Sequence, residues 1–363
     1  MPEDALEVWL VKPDPVAQEL VRQSLEAGCP VGGLFAALEG RSAMPQVGEP
    51  ILAPFLISEA SEPPDELTAA ALDAAAHLFA AWGGQIALAL TFRALPRTFA
   101  AQSIATALAL TGLLRERTAL RLLQTLRFVF AVLRPDAMMT IDGRMVLPRL
   151  RLTHALAAEL LVRRNAGDGT MVAPIGQADQ MGTLCGFMFD VPDALLLLDV
   201  VWTDAEQMAW GRAWRWIGSR LGIDDALLPE APTEARALWR RWQDLTQVGD
   251  PDNGRQLTKA LVATVDAALP GLTAPYVADV IDHFLDDAAL SARLGLQPIS
   301  NRNRLGRFER WFDQCMLERA GDGGPDLDEL PWRAPWVSGG DDRALRCWRW
   351  MAEGLAVAAC RRG

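Results

Sequence analysis

The chain has 363 residues, half of them apolar, and a formal net charge of -11. Such an acidic balance excludes a duplex nucleic-acid binder, which needs a basic face to neutralise phosphates. The five cysteines (Cys29, Cys185, Cys315, Cys347 and Cys360) are odd in number and scattered with no CxxC pair, so they read as reduced thiols and zinc is disfavoured.

Helical signals then recur along the chain. Asp14-Pro15 opens a helix to about Ala27, a helix cap followed by proline at the first position. DELTAAALDAAAHLFAAWG reads as another, ending at Gly83. Helices over 98–112 and 115–133 follow, joined around Gly112. GRMVLP is the best strand signal on offer, and it is weak. RLRLTHALAAELLVRR, residues 149–164, is one apolar helix with Pro148 at its start and Gly167 just beyond it. A helix over 177–191 comes next. Thr203 with Glu206 forms a capping box for a helix that ends at Gly222. Further helices are expected at 233–247, 254–268, 274–289, 301–319 and 341–360.

The fold expected is all-α, a single multi-helix domain over 1–363, because the Pro/Gly-rich stretches near 40–66 and 320–341 are too short to divide two cores. No uninterrupted apolar run of membrane-spanning length occurs, since Arg93 and Arg97 break QIALALTFRALPRTFAAQ. The opening MPEDALEVWL lacks a basic stretch followed by an apolar one, so a cytoplasmic protein is expected. Thirteen tryptophans stand against one tyrosine. Trp210 with Trp214, and Trp239 with Trp242, share helix faces, which suits core packing or an aromatic pocket wall.

Ordinary chemistries find little support. There is no G-x-S-x-G elbow, no G-x-G-x-x-G and no P-loop. Asp279 and His283 sit one helical turn apart but have no second matching element, and His283 reads as part of a solvated face. His77, within AAAHLFAAW, reads as packed or half-exposed. His154 lies on the apolar side of its helix. It suits either a hydrogen-bonded core histidine or the single protein ligand that a haem iron requires.

Leu95-Pro96, Leu110-Thr111-Gly112-Leu113, Arg121 with Thr125, His154-Ala155 and PIGQADQMGT at 174–183 follow one another within roughly 75–225. This order of motifs resembles the family of MpaB-type oxygenases and latex-clearing rubber oxygenases. The resemblance implies a globin-like helical core around b-type haem, with later helices over 230–360 packed on it. His154 would be the metal ligand, with Arg121 and Thr125 on the distal side and Thr183 in a pocket-lining segment. It also implies an oxygenase, with dioxygen or peroxide and a small molecule as partners. Departures from the pattern are specific. Gln124 stands where rubber-cleaving members carry lysine, residues 98–112 hold no Asp or Glu, Ala158 replaces a basic residue, and Gly176 replaces asparagine. They point away from polymer cleavage and towards a small, largely apolar or prenyl-like metabolite, with Arg121, Gln124 and Thr125 as catalytic candidates. Peroxide chemistry, a non-oxidative rearrangement or dehydration, and a haem sensor or carrier remain the alternatives.

Overall fold

The computed structural model describes residues 5–110, 118–168, 175–268 and 273–297. All its regular structure is helical among the described residues. In chain order the helices are α1 Ala5–Val11, α2 Pro15–Glu26, α3 Val31–Leu38, α4 Glu49–Glu59, α5 Glu66–Ala89, α6 Leu95–Phe99, α7 Gln102–Leu110, α8 Thr118–Leu133 and α9 Ile141–Arg144. They continue as α10 Val146–Asp168, α11 Gln177–Cys185, α12 Val191–Leu196, α13 Asp204–Arg220, α14 Pro232–Thr246, α15 Asp252–Ala268, α16 Ala274–Leu285 and α17 Ala288–Arg293. Two π-helical turns, Leu90–Ala94 and Gly186–Asp190, interrupt this series. The helices expected at 301–319 and 341–360 lie outside the described residues, as do Thr111-Gly112-Leu113.

The chain forms two compact units, each drawn from separate stretches of sequence. The first takes residues 1–76, 131–189 and 202–246, and the second takes 77–130, 190–201 and 247–363.

In the first unit, α10 packs on α2, α3, α4 and α13. Its apolar positions Leu152 and Leu156 are fully buried against Val21 of α2, Leu34 of α3 and Leu52 of α4. The cap at Asp14 forms as the sequence indicates, its Oδ1 accepting from Val16 N at 3.1 Å and Ala17 N at 3.2 Å. Helix α10 starts earlier than expected, because Pro148 occupies its first turn, where backbone N–H groups have no intrahelical partner to lose. The GRMVLP segment is helical too. Helix α4 forms despite the Pro/Gly-rich surroundings, with Pro50 in its first turn and Pro54 inside; burial of Leu52, Phe55 and Leu56 offsets the lost hydrogen bond.

The tryptophans build the rest of this core. Trp210 and Trp214 are buried on α13, and Trp210 Nε1 donates to Phe187 O at 2.8 Å. Phe187 stacks on Trp214 with centroids 4.3 Å apart. Trp242 of α14 is fully buried over Gly182 of α11, where any Cβ would run into the indole ring. Its Nε1 donates to the buried Asp179 Oδ1 at 3.0 Å. The core-packing reading of both tryptophan pairs holds. The Thr203–Glu206 capping box is present as well.

Gly83 does not end α5. The backbone departs from helical geometry at Trp82 (φ -125°, ψ 17°) and then resumes, because the following IALAL run is apolar all round and buried. By length and composition the continuous stretch Glu66–Phe99 could cross a membrane, yet 72% of its most apolar window, of mean hydropathy 1.3, is buried inside the protein.

The second unit is organised around Arg93 and Arg97, the charges that interrupt this apolar run. Asp190 is fully buried, and its Oδ1 accepts from Arg93 Nε at 3.1 Å and Arg97 NH1 at 2.8 Å. The same two guanidiniums donate to the last carbonyls of α16, Phe284 O at 2.6 Å and Leu285 O at 3.2 Å. Two cations thus meet one carboxylate and the negative end of a helix dipole. Burial pushes the Asp190 carboxyl upward in pKa, and Arg97 and Arg93 oppose it. The carboxylate oxygen that two guanidiniums share is the acceptor of an ionised group. Helix α15 packs on α6, α7 and α16 beside this cluster. The helix expected over 274–289 breaks at Asp286, which adopts a left-handed conformation (φ 49°).

Candidate functional site

His154 sits near the middle of α10 in the first unit. Residues 146–168 form one helix around it, and Leu152, Ala155 and Leu156 seat that helix in the core. The imidazole is half-buried and its Nδ1 is shielded from solvent. It lines a crevice of about 260 Å³, including the part open to solvent. The walls come from Asp14 and Gln18 at the start of α2, Arg151 and Ala158 of α10, Gln180 of α11 and Leu221 after α13.

The polar groups of this crevice are locked together. Arg151 Nε donates to Asp14 Oδ2 at 2.5 Å and NH2 to Oδ1 at 3.2 Å, while NH1 reaches Glu59 Oε2 at 2.8 Å. Asp14 therefore caps α2 and clamps α10 with the same carboxylate. Gly222, with φ +86°, lies against this pair so closely that a Cβ would strike both side chains. Ala158, where the family pattern has a basic residue, leaves that wall apolar and small.

Thr183 lies on α11, half-buried, with its hydroxyl donating to Asp179 O at 2.9 Å. It does not line the crevice; Ile175 and Gln180 of the same segment do. Arg121, Gln124 and Thr125 belong to α8 in the second unit. Leu122, Leu123, Leu126, Val129 and Phe130 form the buried face of that helix. Gln124 is half-buried and Thr125 exposed. The side chain of Arg121 lies outside the described residues. His77 is exposed on α5. His283 departs from the solvated face expected of it, being half-buried with Nε2 shielded and its ring edge-on to Phe284. Among the described residues no three His, Cys, Asp or Glu side chains group as metal ligands. Cys29 and Cys185 are buried thiols outside any disulfide, and burial raises the Cys29 pKa.

Sequence reasoning missed Asp14, Gln18, Arg151 and Gln180 as neighbours of His154. Arg151, one helical turn before it, carried a local signal; the others are brought in by packing from distant stretches. It also read Arg93 and Arg97 only as interruptions. Two arginines four residues apart in an otherwise apolar helix are a usable sign of a buried acidic partner.

Comparison with known proteins adds to this geometry. No curated protein matches the sequence. The structure of latex clearing protein LCP in the closed state resembles this one with a TM-score of 0.67 at 20% identity, covering 97% of this chain and 91% of that chain. That likeness establishes a shared helical fold. The family model for the ER-bound oxygenase mpaB/B'/rubber oxygenase catalytic domain matches residues 73–320, a span that includes α8, α10 and α11. By that match over most of its length, the chain belongs to the mpaB/rubber oxygenase family.

Proposed function

We propose that this chain is a b-type haem-dependent oxygenase acting on a small, largely apolar or prenyl-like molecule, with His154 as the protein ligand of the iron. The carrying observation is the half-buried imidazole of His154, held mid-helix on α10 and lining a crevice. Such a residue suits a group that brings four in-plane nitrogens of its own and asks the protein for one more. Shielding of Nδ1 leaves Nε2 as the nitrogen for the metal.

Haem, when bound, supplies an iron centre able to activate dioxygen or peroxide. The protein's part is to hold and orient it. The Arg151 clamp to Asp14 and Glu59 fixes the turn of α10 that carries His154. Arg121 and Thr125, one turn apart on α8, are proposed as polar groups for the distal side, with Gln124 offering an amide that donates or accepts but does not act as a base. Thr183 is proposed as a pocket-lining residue of the following segment. The replacement of lysine by Gln124, and of acidic residues over 98–112 by neutral ones, favours a second reading in which peroxide or a non-oxidative reaction is used. Oxygen uptake in the presence of substrate separates the two.

The test is the visible spectrum of purified protein. Roughly one non-covalent haem per chain is expected, since no C-x-x-C-H attachment site is present. His154→Ala should lose most of the haem or its native Soret position, whereas His77→Ala and His283→Ala should not. A His154→Ala variant with wild-type haem content and an unchanged Soret band would refute the assignment.

A further inference from the structure

A second cleft in the first unit shares no lining residue with the crevice at His154. It encloses about 950 Å³, including its solvent-open part. One wall is a face of α13 carrying Arg212, Arg215, Trp216 and Arg220. At about 100° per residue, the three arginines fall within roughly 140° of the helix circumference. The stretch joining α4 to α5 contributes Ser61 and Asp65, and the segment after α13 contributes Asp225 and Glu230.

Three guanidiniums on one helix face repel one another, and the structure satisfies them unevenly. Arg215 NH2 meets Asp225 Oδ1 at 3.1 Å and Glu230 Oε1 at 2.8 Å. Arg220 NH1 donates to Ser61 Oγ at 3.1 Å. The Nε–H groups of Arg215 and Arg220 are buried and have no acceptor among the described residues. A charged donor removed from water without an acceptor is costly, and a site that keeps two of them in one cleft is prepared for an anion.

The signs of charge are segregated by depth. The side chains of Asp225 and Glu230 are 81% and 72% exposed, whereas that of Arg215 is 25% exposed. The carboxylates thus form a solvated rim over Arg215 and Arg220, with Arg212 exposed beside them. An incoming oxyanion can displace Asp225 and Glu230 from Arg215, and both carboxylates remain hydrated when it does.

We propose that this cleft is a binding site for a small phosphate ester bearing hydroxyl groups. In place of Asp225 and Glu230, its phosphate oxygens accept from the outward guanidinium N–H groups of Arg215, Arg220 and Arg212, and its negative charge lies beside the two unsatisfied Nε–H groups. Its hydroxyls donate to the rim carboxylates. This combination is what three arginines ringed by exposed acids recognise. The site is independent of the haem reading, and its occupancy can be measured whatever the cofactor content of the protein.

The experiment is calorimetric titration of the full-length protein at low ionic strength with ribose 5-phosphate, ribose and inorganic phosphate. Ribose 5-phosphate should bind saturably at one site and weaken as salt is added, and inorganic phosphate should bind more weakly. Ribose should give no binding. Arg215→Gln/Arg220→Gln should lower the affinity for ribose 5-phosphate at least about tenfold, which is the loss of roughly one charge-assisted hydrogen bond. Arg212→Gln, at an exposed position that the fold does not depend on, should weaken binding about threefold. Arg22→Gln, an exposed arginine on α2, should leave it unchanged. No saturable binding of ribose 5-phosphate up to about 10 mM, or equal affinity in the arginine variants and the wild type, would overturn the site. Equal binding of inorganic phosphate and ribose 5-phosphate would overturn the assignment to an ester.

Discussion

Asp190→Asn removes one buried charge while leaving volume and the shared acceptor oxygen nearly unchanged. Asp190 is fully buried, and the side chains of Arg93 and Arg97 are each 10% exposed. With charge centres about 4 Å apart and an effective dielectric near 20, each pairing with Asp190 is worth about 4 kcal/mol, so the two together contribute about 8 kcal/mol. Roughly half of that is offset, because the variant no longer bears the several kcal/mol that burying the carboxylate costs. The expected net loss is about 3–5 kcal/mol, in the range found when one partner of a buried ion pair is removed. Urea denaturation followed by circular dichroism should show a lower midpoint with little change in slope. Arg22→Ala, which breaks two exposed pairs on α2, should leave the midpoint nearly unchanged and serves as the comparison. An Asp190→Asn variant within about 1 kcal/mol of wild type would mean that Asp190 is protonated in the native state and that the cluster is not held by charge.

Gly182→Ala should destabilise by about 1–3 kcal/mol or more, because the new Cβ enters the Trp242 ring, itself tied to Asp179; thermal melts and tryptophan fluorescence report it. Thr203→Ala should cost about 0.5–2 kcal/mol by removing the α13 capping box. The Thr203 backbone N–H and hydroxyl hold the Glu206 carboxyl below its ordinary range, so its contribution is present at neutral pH and lost as pH falls through that range. The gap between melts of wild type and Thr203→Ala should therefore narrow in acid by the share of the hydroxyl-to-carboxylate bond, while the share from Oγ accepting from Glu206 N persists. A gap that does not change would refute the linkage. Arg121→Ala and Thr125→Val should reduce activity more than thermal stability, and equal losses in both would favour a structural role. Gln124→Lys should move part of the ferric protein from high spin to low spin in electron paramagnetic resonance if the residue faces the metal, since an amine ligates iron far better than an amide.

Much of the helical framework was legible because its start signals are local. Asp14-Pro15 and Thr203 with Glu206 act within four residues of themselves, and both caps form. The apolar face of the His154 helix was equally plain, and family membership followed from the order of motifs. What was not legible depends on partners far away in sequence. Gly83 suggests a stop to any local reading, yet burial of the apolar run beyond it keeps the chain helical. Arg93 meets Asp190 across 97 residues, and Gln18 and Gln180 reach the His154 crevice from α2 and α11. The π-helical turns had no sequence signature; Arg93 lies in one and Asp190 in the other.

Those turns also fix how the chain tolerates changes of length. A π turn closes its hydrogen bonds one residue later than an α turn, so Leu90–Ala94 amounts to an extra residue threaded into a helix. Deleting a residue within 90–94 would let the segment relax to α-helix with the helices on either side keeping their present faces, so Arg97 and Phe99 would stay on the surfaces they now bury. The same deletion in a regular α-helix would turn one side by about 100° relative to the other. Residue numbers before and after this segment consequently belong to different helical registers, and face-by-face comparison with a relative that lacks the turn must be restarted at Leu95.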